Sequence, residues 1–454
     1  MDLAAPLPGR DAVPHRLDPR FHDAAGAVRS KREADGVPEP LWLIHDAYYD
    51  LAPYAAAHPG GREFLDHTRG TDCTEAFELH HVRGVSAKLL DRYRVRALAA
   101  GERPLPARHT YAMYGAIKRR VAAHLAELGN PTGTTTTREG LVGVAVLAQY
   151  FLALYLMARR RSYAFAALSG FLLAGVWGVG HNRMHAARSG RWAWLRYGVD
   201  LTLLLSSHEM TVTHCLSHHV YPNSALDIEV YQQTAARLYW LPFDRARSNP
   251  MLRLGLYFVV LPLGMQMEML LRLFRRVALE RDPLKSDVLA PVLTVLAVAR
   301  VAKSDVPTAL RLCWAMVTAM GVTFLVPGQA VHHGVDAEEG APFAWHEGER
   351  GAQSDLAAQQ LVATNDHSTD AGSWAAYTLF GGLNCHTVHH LFPTVDLGYH
   401  REILRLLLRE NTAGFADFYL RRNGNPFGGS RDYATELAPG FVRATMEVDG
   451  SVVA

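Results

Sequence analysis

The chain predicts a small α+β unit followed by an all-α integral-membrane unit of about four crossing helices, with further helices lying along the membrane interface. Three observations predict it. Residues 39–100 alternate short apolar and polar stretches broken by turn residues. Beyond residue 140, apolar runs recur at 141–157, 163–180, 254–274, 287–302 and 308–326. Three histidine clusters lie beside those runs: His181/His185, His214/His218/His219 and His386/His389/His390. At 454 residues the chain exceeds one ordinary core, so two domains are expected. A net charge of only +2 gives no reason to expect a nucleic-acid partner. The four cysteines are scattered without a CxxC, which argues against a disulfide framework or zinc knuckle and fits a reducing compartment. The mean hydropathy of −0.03 averages polar ends with an apolar middle.

Residues 1–38 mix Pro, Arg, Asp and His without the apolar core of a signal peptide, and read as a disordered segment that stays in the cytosol. From Glu39 the chain reads as a short hairpin, Leu41 to Ile44 and Tyr48 to Leu51 around a polar break at His45-Asp46, leading into helices. Next come His58-Pro59-Gly60-Gly61 and Asp72-Cys73-Thr74-Glu75-Ala76-Phe77, followed by His80-His81. Glycine tolerates positive φ and proline fixes its own, so the turn bends sharply and projects His58 into a pocket.

This stretch, from roughly Glu39 to Ala97 of the unit read as residues 39–100, resembles cytochrome b5. The resemblance implies haem b held between two histidines: His58, and the histidine four residues after Phe77, His81, with His80 as the fallback. Ligation by two histidines leaves no open iron position, so such a haem carries electrons rather than binding oxygen.

Residues 101–140 contain Pro104, Pro106, a helical stretch over 111–128 and Gly129-Asn130-Pro131-Thr132-Gly133, and read as a connector able to swing one domain against the other. The runs 141–157 and 163–180 are each about long enough to cross a bilayer of roughly 30 Å, and return the chain to its starting side at His181. Arg159-Arg160-Arg161 then falls in the outer loop, against the positive-inside tendency. The stretch 192–206 is too short to cross. Between the second and third clusters an even number of crossings is needed. Run 254–274, followed by Arg275, Arg276, Arg281 and Lys285, is expected along the inner face, while 287–302 and 308–326 form a hairpin; 254–274 crossing with 308–326 is the alternative.

At helical pitch His181/His185 and His214/His218 each present two imidazoles to one point, with His219 to one side. Eight convergent histidines exceed what one zinc needs and argue for two metals. The patterns HxxxH, HxxxHH and HxxHH, with HHVYPN after the second and HHLFP after the third, resemble the histidine boxes of integral-membrane fatty acid desaturases and hydroxylases from about Leu141 to His400, within a domain read as residues 141–410. The resemblance implies a di-iron centre with O2 as co-substrate and no catalytic residue beyond the metal ligands His181, His185, His214, His218, His219, His386, His389 and His390. It also implies an extra ligand just past the last membrane exit, paired with an Asn or Gln: His332 or His333 after Gln329. The family's second box is usually HxxHH, which would place a histidine where this chain has Cys215; the ligand is then His214, with a Cys215 thiolate as the alternative. His208-Glu209 either supports the metal-bound imidazoles or forms a solvated pair. Asp227 and Glu229 either orient imidazoles or are ordinary loop charges. Residues 359–365 either help shape an acyl channel or form a polar helix face. Residues 411–454 read as a cytosolic tail.

Together these readings give an N-terminal α+β cytochrome b5-like haem domain followed by an all-α integral-membrane desaturase-like domain. The expected activity is desaturation of a lipid acyl chain. The expected electron source is an NAD(P)H-dependent reductase of the cytochrome b5 reductase type, a separate protein because no GxGxxG follows a strand. The expected setting is a multi-pass protein of the bacterial inner membrane or endoplasmic reticulum, with haem domain and boxes facing the cytosol. A fatty acyl or sphingolipid hydroxylase, or a membrane-anchored haem electron carrier with an inactive desaturase-like domain, are the alternatives; a zinc hydrolase lacks its HExxH. Box three begins with His386 where front-end desaturases usually have Gln, so no regiochemistry is expected from it.

Overall fold

A computed structural model describes residues 24–99, 102, 109–222, 227–229, 285–332 and 354–423, with parts of 263–279. The expected hairpin is present: β1 (Trp42–Ile44) pairs antiparallel with β2 (Ala47–Tyr49) around His45, whose φ of 51° makes the tight turn. α2 (Arg62–Thr68), α3 (Thr74–His80) and α4 (Ala87–Tyr93) follow, and β3 (Arg94–Ala97) returns to β2. Trp42, Ile44, Leu51, Ala55, Leu65 and Cys73 form the core of this unit. One expectation is corrected here. The N-terminal segment is not without structure throughout, because Ala24–Asp35 forms a helix, α1. Arg32 donates to the carbonyls of Arg69 and Asp66, and Asp35 accepts from the Asp72 amide, so its polar groups find fixed partners.

A second difference concerns the connector. α5 (Ala112–Glu127) carries Tyr114, Ile117, Val121 and Leu125 on one face. All four are buried against Val388, Leu391, Phe392 and Ile403 near the third histidine cluster. On the other side, Lys118 donates to the carbonyl and carboxylate of Glu78, both at 2.7 Å. The helix bridges the two units instead of swinging between them. The sequence signal was the apolar spacing within 111–128, which buries a face rather than merely filling a tether.

Among the described residues, three helices are long and apolar enough to cross a membrane: α6 (Thr137–Arg160), α7 (Tyr163–Met184) and the segment Val306–Phe324 of α9 (Val306–His332). Thr136 caps α6 by accepting from the Glu139 amide, and Ser162 caps α7 by accepting from that of Phe165. Between box two and α9 lies α8 (Ser286–Ala302), of 17 residues, which packs against α6 and α9. Arg161 donates to the carbonyls of Ala302 and Lys303, so the α6–α7 and α8–α9 turns share one end of the bundle. The histidines lie at the other end, about 30 Å along α7. Leu152, Leu293, Leu296 and Leu310 are exposed on α6, α8 and α9, an apolar belt that water would not support. The stretch 192–206, too short to cross, forms the turns Ala193–Tyr197 and Gly198–Leu201 packed against α7. Most of run 254–274 lies outside the described residues. Near its end Arg272 donates to the Leu204 carbonyl, and just beyond it Arg275 and Arg276 pair with Glu209.

Candidate metal centre

α7 supplies the first two histidines from its last turn, four residues apart on one face. Its close approach to the turn before box three requires glycine. A Cβ at Gly178 would lie 2.1 Å from the Gly381 carbonyl oxygen. Box three, opening α10 (His386–Leu391), is thereby held beside box one. Arg183 reinforces this from within, donating to Asp396 at 2.8 Å and to the Tyr377 hydroxyl at 3.1 Å, all buried.

Box two adopts an unexpected form. Thr211–His218 is a π-helix, and the amide of His219 donates to the carbonyl of His214, five residues back, at 3.0 Å. The wider turn absorbs one residue, so His214, not residue 215, reaches the histidine cluster. Cys215 points instead into the apolar core. His214 and His218, four apart as expected, do meet in a small group with Glu229, but in the larger clusters His214 joins His219, five residues on, while His218 joins the other. A π-turn inside a helix is often found at functional sites. Nothing in the residue types announces it; the only signal is the one-residue surplus relative to HxxHH.

Among the described residues, nine histidines converge in two large groups. His181, His185, His214, His219 and His389 form one; His218, His332, His386 and His390 form the other. Within each group the candidate ligand nitrogens lie within 4.8 Å of one another. Nε2 of His181 lies 2.6 Å from that of His214 and 3.2 Å from that of His389. Nε2 of His332 lies 2.7 Å from that of His386 and 3.0 Å from that of His218. Nitrogens sharing one ion at about 2 Å sit roughly 2.8 Å apart at right angles and roughly 3.3 Å apart at tetrahedral angles, so the spacing is close to that of metal ligation. His332 belongs to the second group; His333 lies outside the described residues.

The orientation of the rings follows from their second nitrogens. His218 Nδ1 donates to Asp227 at 2.8 Å, and His214 Nδ1 to Glu229 at 3.1 Å. His390 Nδ1 donates to Gln360 Oε1 at 3.0 Å, and His332 Nδ1 to the Ala363 carbonyl at 3.1 Å. Each of these contacts fixes the proton on Nδ1 and leaves the Nε2 lone pair free to bind a metal. Gln360 comes from the stretch singled out before box three, but it orients a ring. Glu209 pairs with arginines, and Lys285 contacts His208 at 3.2 Å, away from the cluster.

Burial, reinforced by neighbouring imidazoles, holds His219, His386, His389 and His390 well below the usual histidine pKa, hence neutral. Burial also acts on His218, but the Asp227 carboxylate outweighs it and raises that group. Both ring nitrogens of His185 and Nε2 of His390 are buried without a hydrogen-bond partner. Unsatisfied polar atoms at this density are costly unless they bind something. A lone pair directed at a cation removes the cost, so the residues fit metal.

In the N-terminal unit, the rings of His58 and His81 face each other with centroids 6.2 Å apart. That separation suits two imidazoles on opposite sides of one metal with bonds of about 2 Å. Nδ1 of each is anchored to backbone, His58 to the Gly61 carbonyl at 3.0 Å and His81 to that of Phe77 at 2.8 Å. His80 turns the other way and packs beside His185, centroids 5.9 Å apart.

Comparison with known proteins follows the same division. The profile of the Cytochrome b5-like Heme/Steroid binding domain matches residues 29–99, and that of Fatty acid desaturase matches residues 161–422. A cytochrome b5-related protein of Drosophila melanogaster is 27% identical over 377 residues, 82% of each chain. An acyl-lipid (8-3)-desaturase of Mortierella alpina is 25% identical over 419 residues, 80% of this chain and 86% of the relative. An acyl-lipid omega-13 desaturase of Chlamydomonas reinhardtii is 48% identical, but over 65 residues only, 14% of each chain. No solved structure matches the chain. With two buried histidine groups in the helical part and a facing histidine pair ahead of it, the chain belongs to the fatty acid desaturase family and carries an N-terminal cytochrome b5-like domain.

Proposed function

We propose that the protein is an O2-dependent lipid acyl desaturase whose di-iron centre takes electrons from its own haem domain. The observation that carries the reading is the division of nine buried histidines into two adjoining groups. His181, His185, His214, His219 and His389 would hold one iron, and His218, His332, His386 and His390 the other. His58 and His81 would hold haem b. Iron bound there supplies the oxidising power for attack on an unactivated C–H bond, which side chains alone lack.

The chain's own residues aim, shield and deliver. Asp227, Glu229 and Gln360 hold imidazole protons away from the metal side. Trp177 stacks on His181 at 4.5 Å and 9°, and Phe324 packs edge-on to Trp177, so an apolar wall lies between α7 and α9 at the cluster. An acyl chain entering from the bilayer would meet apolar surface up to the histidines. The relatives named acyl-lipid desaturases support a lipid acyl substrate. A separate NAD(P)H-dependent reductase would reduce the haem. The domain bounds read from the sequence, the crossing of α8 as a fourth span, and the cytosolic placement of haem domain and boxes belong to the same proposal. A cysteine at a box position, Cys215, is what supports the electron-carrier alternative; the π-helix that brings His214 to the cluster favours the enzyme.

The test is turnover by the full chain in lipid vesicles with reductase, NAD(P)H and O2, with acyl products read by mass spectrometry. Loss of a hydrogen pair from an acyl chain is the expected result. Gain of an oxygen atom instead makes the protein a hydroxylase, and haem reduction with no altered lipid returns it to an electron carrier.

A further inference from the structure

The haem domain is docked on the histidine cluster by residues adjacent to the candidate ligands on both sides. His80 and His81 are neighbours at the end of α3, with rings anchored separately: His80 Nδ1 to the Ala76 carbonyl at 2.9 Å, His81 Nδ1 to that of Phe77 at 2.8 Å. His81 faces His58, while His80 lies against His185 with ring planes at 32°. Nε2 of His80 is buried without a hydrogen-bond partner. One side chain therefore spans the space between a haem-side histidine and a metal-side histidine.

A second contact holds the first in place. Arg188 stands three residues beyond His185. Its amide donates to the carbonyl of Pro59, next to His58, at 2.8 Å, and its Nε pairs with Glu63 at 3.0 Å. The guanidinium lies over the Phe64 ring, 5.5 Å from its centroid, and Phe64 in turn packs on His80 at 5.7 Å. Gly61, at φ 104°, leaves room for Arg188: a Cβ there would lie 2.8 Å from the arginine Cγ. The segment after box one thus grips both flanks of the haem-side pocket.

We propose that this docked form is the electron-delivering one, with His80 the positioning residue between haem and five-histidine site and Arg188 the latch that keeps it there. The inference rests on the function proposed above. In each event one electron leaves ferrous haem iron, which becomes ferric, and reduces one ferric iron of the five-histidine site to ferrous. No bond forms or breaks, no proton moves, and His80 is neither oxidised nor protonated. The external reductase then restores the haem, and a second event completes the electron pair that O2 requires. The two iron positions are consequently unequal, the five-histidine one standing nearer the source.

The experiment is stopped-flow reoxidation of the haem in pre-reduced, purified full-length enzyme, read from its visible spectrum. Haem content, haem midpoint potential and non-haem iron are measured alongside. In His80→Ala we expect reoxidation to slow about tenfold or more, within the range that lost positioning costs, with haem content, potential and iron unchanged. His80→Phe, which refills the space, should recover most of the rate. Arg188→Glu should slow the same step, and adding Glu63→Arg should restore it in part. Wild-type reoxidation rates in both His80→Ala and Arg188→Glu overturn the proposal alone, as does loss of haem in His80→Ala, which would make His80 a haem ligand. Wild-type enzyme that holds haem but no non-haem iron overturns the proposed function, and this inference with it.

Discussion

The five-histidine and four-histidine groups use the same residue type, yet they are held by different means. In the four-histidine group, three rings donate Nδ1 to a fixed acceptor: His218 to Asp227, His332 to the Ala363 carbonyl and His390 to Gln360. In the five-histidine group, His214 alone does so among the described residues, to Glu229. The Nδ1 atoms of His181, His185, His219 and His389 are buried without hydrogen-bond partners. These rings are oriented by packing instead. Trp177 lies on His181, His219 stacks on His390 at 4.1 Å, and His80 lies against His185. A hydrogen-bonded ring resists rotation electrostatically; a packed ring resists only as far as its neighbours stay put. The difference teaches that one group of rings is fixed by its own hydrogen bonds and the other answers to whatever docks beside it, here the N-terminal domain.

The largest expected effects come from removing ligands. His185→Ala or His218→Ala should lose non-haem iron and turnover while keeping the haem spectrum, and His58→Ala should lose the haem spectrum and reductase-driven turnover while keeping non-haem iron, as metal analysis with absorption spectra will show. Next is Asp227→Ala, which should weaken metal affinity about 10–100-fold in metal-competition titrations. Glu229→Ala should do less, because packing holds most of its group; an equal effect would break the comparison. Smaller again is Gln360→Leu, which leaves His390 Nδ1 buried and unmatched and should cost about 1–3 kcal/mol in thermal or denaturant unfolding. The smallest is an effect of acid on docking. Burial raises the Glu78 carboxyl, but hydrogen bonds and charge from His45 and Lys118 outweigh it and bring the group down to about 2. A depressed carboxylate contributes stability above its unfolded pKa, near 4.5, and loses it as pH falls through the folded value. Protection of the α3–α5 contact in hydrogen exchange should therefore decline as pH falls from about 4.5 towards 2, and Glu78→Gln should remove that dependence.

Much of this was legible because metal chemistry writes itself in residue type and spacing. The box histidines, His58 and His81, and the orienting carboxylates Asp227 and Glu229 all stand at positions the sequence singled out. What stayed hidden depends on backbone form or on distant packing. The π-helix at Thr211–His218 redistributes His214, His218 and His219 between the groups, and α-helical spacing cannot express it. The place of His332 in the four-histidine group depends on where α9 meets the Ala363 carbonyl, 31 residues downstream. α5 read as a tether because its buried face has meaning only beside Phe392 and Ile403. His80 read as a spare haem ligand because its neighbour His185 lies in the other domain.

The most direct test of the central claim is the count of metals per purified chain, made on wild type beside one variant from each group, His185→Ala and His218→Ala. The account predicts one haem and about two non-haem irons in wild type, with non-haem iron lost in both variants and haem kept. Haem alone, or non-haem iron that survives in both variants, would contradict it.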